Sequence, residues 1–467
     1  MPHALLEPCR IYVHKVPTFL NESKVPRGWL NNQYAVELWL ERALERHPWR
    51  VASPAFADLV VVQANFSLLC FAGKSYRRRT VWDSLMDSAV MRSGQVPAFV
   101  QIQYAHCPDP WHFATPRKQG RVERPKDMVM LLDGPGRKYN DRFVNVVSPF
   151  VVSKPAQLVD GDASTASQWA TRSRLLFFAG HVPKLYNSKL RYDIWRQVRT
   201  DARVTAVSST LACTVGAYAA CQKSGAELDT QPLAFYQTFC HKLCLPLFDR
   251  KADATQSALC GVSLRDPLQT ARKSFDKMCQ HYKQLDFGSE LPHMIRDTRR
   301  VPHAEYISLA MSSRFCLIAP GDFESTHKVT EAMVIGGVGG CIPVFVTRRL
   351  RDVSTLLPYA RWLDYCEVAY FVDSRTATTN MKAVLERLAA VSEAEARAKL
   401  AALRRVHDAF VFRRASTIDQ PSAPHYILSE ACAARRRVPV NGSSRFRAGG
   451  AFDFANTNVR RCALGPV

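Results

Sequence analysis

Residues Ser312–Val346 read SSRFCLIAPGDFESTHKVTEAMVIGGVGGCIPVFV, and this stretch decides the fold. An apolar run, Arg314–Ile318, is a short buried strand. Pro320–Glu324 breaks it, and Ser325–Ile335 repeats apolar groups at helical spacing. A second apolar run, Cys341–Val346, returns as a strand. Strand, loop, helix and strand in this order make a parallel βαβ unit. Ligands of open α/β sheets bind where strand carboxyl ends meet helix amino ends. The unpaired amides and the helix dipole there attract phosphate. Pro320 and Gly321 stand in the loop, and Ser325, Thr326 and Lys328 bring hydroxyls and a cation to that end. Glu331, three residues after Lys328, lies on the same helical face, where its carboxylate can accept from two vicinal hydroxyls of a ribose. The spacing alone fits better a surface i,i+3 ion pair with Ser325 as a simple N-cap.

Outward from this segment the same alternation continues. Strand-like runs fall at Arg10–Val13, Ala57–Val62, Val96–Gln103, Met128–Leu132, Leu175–Ala179 and Val368–Val372. Helical patterns fall at Tyr34–Leu44, Lys189–Val198 and, as one or two helices, Met381–Val406. Residues 161–173 are polar and read as a linker. The chain thus divides into an N-terminal domain at about 1–160 and a second domain at about 174–410. A cysteine-bearing insertion without clear period is expected at about 205–300, and a basic, partly flexible segment at 411–467. The 467 residues, 47% hydrophobic and 22% charged, exclude wholesale disorder, collagen and coiled coil.

The formal charge of +22 predicts an anionic partner without choosing among nucleic acid, lipid, acidic glycan and phosphate compounds. No zinc-finger, RRM or KH pattern accompanies it, so nucleic acid is not expected. A dinucleotide oxidoreductase is set aside for want of G-x-G-x-x-G after a first strand. Six of the fourteen cysteines (Cys213, Cys221, Cys240, Cys244, Cys260, Cys279) fall in one stretch without CxxC spacing. Cys240 and Cys244 flank His241, but this is poor evidence for zinc, and disulfides in an oxidising compartment are the better reading. Sequons stand at Asn21, Asn65 and Asn441. No run reaches the length of a membrane span. The start, MPHALLEPCR, lacks the apolar core of a signal peptide, which literally reads as cytosolic; the abrupt first strand leaves room for an anchor ahead of it.

The segment 312–346 resembles the C-terminal signature of the exostosin family of glycosyltransferases (GT47-type). Matching residues are Ser313, Phe315, Cys316, Leu317, then Pro320, Gly321, Asp322, then Ser325, Lys328, Glu331, Ala332, and Gly340 through Val344. Arg174–Gly180 followed by Arg191 resembles the family's strand–Gly–Arg segment. Ile11-Tyr12-Val13 with Pro17, Tyr34 with Glu37, Ala57-Asp58-Leu59, and Trp362-Leu363-Asp364-Tyr365 before Val368 resemble further blocks, in order, over most of 10–375. The resemblance implies a GT-B architecture, two Rossmann-like domains facing across a cleft, with nucleotide sugar on the C-terminal domain and acceptor on the N-terminal one. It implies an inverting hexosyl- or pentosyltransferase using a UDP-linked donor and a glycan or glycoprotein acceptor. It further implies no resident cofactor, independence of metal, and a Golgi location through a membrane anchor not visible here. Arg191, Lys328 and, more weakly, Arg314 are then the diphosphate contacts, Glu331 the ribose contact, and Ser325 and Gly321 the phosphate loop. The general base should come from the N-terminal domain: Asp133 after the MVMLL run is the first choice, His106 and His181 the alternatives, with Trp111 and His112 as stacking groups.

The sequence also departs from the family. Gly337-Val338-Gly339-Gly340 are four extra residues before Cys341, read either as a loop beside the donor site or as an error of the gene model. The N-terminal Gly-Arg-Asp-His-type block has no clean counterpart. If the extra glycines spoil the site, the alternative is a catalytically inactive relative that binds polyanionic glycans. Oligomeric state, homo- or hetero-oligomeric, is left open.

Overall fold

The computed structural model describes residues 6–16, 30, 32–71, 77–93, 98–101, 128–132, 144–152, 169–180, 182, 189–208, 289–297, 301–320, 326–351, 353–413, 417–435 and 459–465. The elements that position the site run in chain order. They are β1 (Ile11–Lys15), α1 (Val36–Glu45), β2 (Leu59–Gln63), α2 (Phe66–Phe71), α3 (Arg77–Met86), β3 (Ala98–Gln101), β4 (Met128–Leu132), β5 (Val144–Val147) and β6 (Arg174–Ala179). Then follow α4 (Lys189–Val198), β7 (Val204–Val207), α5 (Leu291–Asp297), α6 (His303–Met311), β8 (Ser313–Ile318), α7 (His327–Gly337), β9 (Ile342–Thr347) and α8 (Tyr365–Val368). The last are β10 (Tyr370–Asp373), α9 (Met381–Ala389), α10 (Glu393–Val406) and α11 (Ala423–Arg435). The fold is mixed α/β with parallel sheets, compatible with a GT-B-like glycosyltransferase.

The chain divides into two compact units, one of Met1–Leu175, Ala310–Thr376 and Ala383–Val467, the other of Leu176–Leu309 and Ala377–Lys382. In the first, β1 to β5 pair in sequential order, every pair parallel. The register sets Ile11 beside Leu59 and Val13 beside Val61. The Val-rich β2 is buried along its whole length, as a central parallel strand covered on both faces must be. One face carries a core of Val60, Val62, Phe66, Leu69, Val81 and Trp82. The C-terminal α11, buried from Ala423 to Ala434, lies against β2, β4, β5 and α1. A disulfide, Cys9–Cys432, fastens it to the residues that lead into β1. The Arg-rich, Pro- and Ser-bearing composition of the final sixty residues hid this helix from the sequence reading.

The same unit holds a second parallel set in the order β10, β9, β8. The disulfide Cys316–Cys341 joins β8 to the entry of β9, so the two signature cysteines serve as a covalent tie. The pattern over Met381–Val406 resolves into α9 and α10, separated where Ser392 N-caps α10 by accepting from the Glu395 amide. In the second unit, Leu176–Ala179 pair in parallel with Val204–Val207. Trp195 of α4 is buried there and donates Nε1–H to Asp297 of α5 at 2.8 Å. Strand β7 and helix α5 fall inside the stretch expected to be irregular; each is too short for its period to stand out.

Candidate functional site

Strand β8 delivers the chain to Pro320, and α7 opens at Thr326, whose backbone is extended (φ −129°, ψ 160°). The helix begins two residues later than the apolar pattern suggested. Thr326 does not cap it with its side chain, and its Oγ1 is buried without a hydrogen-bond partner among the described residues. From Val329 to Gly337 the helix is buried on every side. All-round burial of this kind marks a core helix, not an amphipathic surface one.

Glu331 is only 4% exposed. Lys328 Nζ stands 2.5 Å from its Oε2, and His327 Nδ1 stands 3.2 Å from its Oε1. The i,i+3 ion pair therefore exists, but it is not a surface pair: the carboxylate is buried while Lys328 and His327 form its half-exposed rim. His327 was passed over in the sequence; its signal was the i,i+4 spacing to Glu331. Thr330, next to Glu331, is fully buried and its Oγ1 accepts from the Phe150 amide at 2.9 Å. The Phe150 ring meets His327 edge-on at 6.5 Å and Tyr34 at 5.8 Å. The segment leaving β5 is in this way pinned against the first turn of α7.

Arg191 lies on α4 in the second unit, its guanidinium 3.9 Å from where a Cβ on Gly180 would stand. It therefore covers the carboxyl end of β6, the strand–Gly–Arg arrangement of the motif. Arg314 is placed differently. It sits at the amino end of β8, donates to the Ala170 carbonyl at 2.5 Å, and lies 5.2 Å from the Trp169 ring. Lys328 and Glu331 belong to the opposite, carboxyl end of that strand, so the structure does not bring Arg314 to them. Gly321, Ser325, Asp133, His106, His181, Trp111 and His112 lie outside the described residues, as do the six clustered cysteines.

The glycine run is a helix terminator. Gly339 N–H donates to Gly336 O at 3.0 Å and Gly340 N–H to Ile335 O at 2.8 Å. Gly339 has φ +87°, and this bond pair around a left-handed residue is the Schellman cap. Arg172 clamps the turn from outside, donating to the carbonyls of Ser313, Gly339 and Gly340. Burial, with Arg314 nearby, lowers its pKa to about 10. At 1.5 Å per residue the turn lies about 12 Å beyond Glu331, at the far end of the helix. The expectation of a loop beside the donor site is thereby corrected.

Other blocks of the resemblance do structural work. Glu37 is buried and accepts from the Ser67 and Leu68 amides and the Ser67 hydroxyl, which anchors α2. Asp364 caps α8 and pairs with Arg461. Asp58 pairs with Arg10.

Among the described residues no group of three His, Cys, Asp or Glu could hold a metal, and no helix is long and apolar enough to cross a membrane. An Asp-x-Asp triplet, Asp160-Gly161-Asp162, occurs where the first domain was expected to end; it lies outside the described residues. Residues 264–388 match the family model of the Exostosin GT47 domain. The matched span runs through β8, α7, β9 and β10 and contains Lys328, Glu331 and the Schellman turn. It agrees with the resemblance read from the signature and points to glycosyltransferase activity. No curated protein matches the chain.

Proposed function

We propose that this chain is an inverting glycosyltransferase that passes a hexose or pentose from a UDP-linked donor to a glycan or glycoprotein acceptor. The observation that carries this reading is the buried Glu331, held by Lys328 and His327 on the first turn of a helix that follows a parallel strand, inside the GT47 match. In this reading the ribose hydroxyls bind Glu331, and the diphosphate binds the opening of α7 with Lys328 beside it. Gly321, Ser325 and Arg191 are the further donor contacts. The two Rossmann-like domains, at about 1–160 and 174–410, face each other across a cleft, with the acceptor on the first. An acceptor hydroxyl attacks the anomeric carbon from the face opposite the diphosphate. The new C–O bond forms as the bond to phosphate breaks, which inverts the centre. The hydroxyl proton passes to a carboxylate, for which Asp133 is the candidate, and the nucleoside diphosphate leaves with the electron pair. The helix terminus and basic side chains meet its growing charge, without a resident cofactor or metal. Three disulfides, Cys9–Cys432, Cys316–Cys341 and Cys366–Cys462, support an oxidising compartment, for which we propose the Golgi lumen.

The test is a panel of UDP- and GDP-sugars, read by melting temperature and by turnover. One UDP-sugar should stabilise the protein, and Glu331→Ala should weaken that binding about tenfold or more, as loss of a pair of charge-assisted hydrogen bonds implies. A mutant that turns over donor at the wild-type rate removes Glu331 from the site. The alternative, an inactive chain that binds polyanionic glycans, has the +22 charge in its favour. It has lost its structural motive, because the glycine turn stands away from Glu331. Salt-sensitive glycan binding without any nucleotide-sugar binding would favour it.

A further inference from the structure

At the carboxyl edge of the sheet β1–β5 the apolar interior ends in one polar step. Along one face, Ile11 pairs with Leu59 and Val13 with Val61, all buried. The next pair on that face is Lys15 with Gln63. Lys15 is exposed, whereas Gln63 is 7% exposed. The side-chain Oε1 of Gln63 is fully buried and has no hydrogen-bond partner among the described residues. Burying an amide without satisfying it costs stability, so a group of this kind calls for a reason. Two residues on, Asn65 takes the left-handed conformation (φ +50°) as the chain turns into α2. The Ser67 and Leu68 amides that open α2 are already taken by Glu37.

This edge is the one from which β5 leaves toward Phe150, and Phe150 is bonded to Thr330 on the first turn of α7. Strands in a sheet lie about 4.8 Å apart, so β2 is about 14 Å across the edge from β5, a distance that a short oligosaccharide spans. An amide offers one acceptor and two donors in a plane, which matches neighbouring sugar hydroxyls that both give and take hydrogen bonds.

We propose that Gln63 is an acceptor-binding residue: its amide holds hydroxyls of an oligosaccharide at the carboxyl edge of the N-terminal sheet, with Lys15 beside it to meet an acidic substituent. This rests on the transferase reading above and adds a place and a chemical class for the acceptor. The experiment measures binding of neutral and uronic-acid oligosaccharides to the full chain by ligand-observed NMR, and of UDP-sugars by melting temperature. The variants are Gln63→Leu, which keeps the volume, and Lys15→Ala, on the surface. Gln63→Leu should weaken the best oligosaccharide about tenfold, leave the UDP-sugar shift unchanged, and hold or raise the melting temperature by removing an unsatisfied amide. Lys15→Ala should weaken only the acidic ligands. Unchanged oligosaccharide binding in Gln63→Leu, or a lowered melting temperature with binding intact, makes Gln63 a structural residue and overturns the proposal. If the wild type binds a UDP-sugar but no oligosaccharide, this inference falls and the donor reading stands. If it binds oligosaccharide through Gln63 but no nucleotide sugar, the transferase reading falls and the sugar site stands.

Discussion

Glu37 and Glu331 are both buried glutamates on helices, yet their surroundings set them opposite tasks. Glu331 has a cation and an imidazole within reach and is suited to a ligand. Among the described residues Glu37 has three hydrogen-bond donors and no cation among its contacts; burial outweighs those donors and pushes its carboxyl up to about 7. Its folded value exceeds the ordinary 4.5, so its stabilisation is complete below about 4.5 and is lost as pH rises through about 7. His47 works in the other direction. Burial, with His425 beside it, lowers its pKa to about 4, so its share of stability is present above the ordinary 6.5 and is lost as pH falls toward 4. Between pH 5 and pH 8 Glu37 removes, and His47 restores, stability on the order of 2–3 kcal/mol each, so urea midpoints of the wild type should stay nearly level. Glu37→Gln should uncover the His47 contribution, and the midpoints should then rise from pH 5 to pH 8. An identical slope in the mutant would show that some other group titrates.

At the scale of elements, the strand–helix–strand unit of Ser312–Val346 was legible because each piece announces itself. β8 and β9 are short apolar runs, and Lys328 and Glu331 sit one turn apart. The glycine run was misread because a sequence shows spacing but not which end of a helix a residue caps. Its meaning depends on Arg172, more than 160 residues earlier, which clamps the carbonyls of Gly339 and Gly340. Thr330 escaped notice for a related reason, since its partner Phe150 is likewise remote in sequence. Gly339→Ala should cost about 1–2 kcal/mol, because φ +87° suits glycine alone. It should lower the melting temperature and leave nucleotide-sugar affinity nearly unchanged, since the turn lies beyond the binding end of α7. Gly337→Ala tests the packing instead: a Cβ there would stand 2.5 Å from His407 Cδ2. A large fall in affinity from Gly339→Ala alone would argue that the turn acts on the site.

At the scale of the molecule, the sequence betrayed the alternation of strands and helices but not how the chain closes on itself. Nothing local in Cys9 or Cys432 names the other, and α11 reads as part of a basic tail until its buried face is seen against β2, β4 and β5. The second end is also fastened. Cys462 is bonded to Cys366, and the Leu464 amide donates to Phe371 on β10 at 2.7 Å, which covers that edge strand. Cys432→Ser should lower stability by about 2–5 kcal/mol, with the larger loss in oxidising buffer vanishing under reductant. Equal melting temperatures for mutant and wild type in oxidising buffer would mean that the Cys9–Cys432 bond does not constrain the unfolded chain. The 423 residues between those two sulfurs also impose a timetable on biosynthesis. At ~5–20 residues per second, Cys9 emerges from the ribosome roughly 20–85 s ahead of its mate. During that interval it is a thiol in search of a partner among the eleven cysteines that emerge before Cys432, so productive maturation of this protein calls for an isomerase that can undo the early, mistaken pairings.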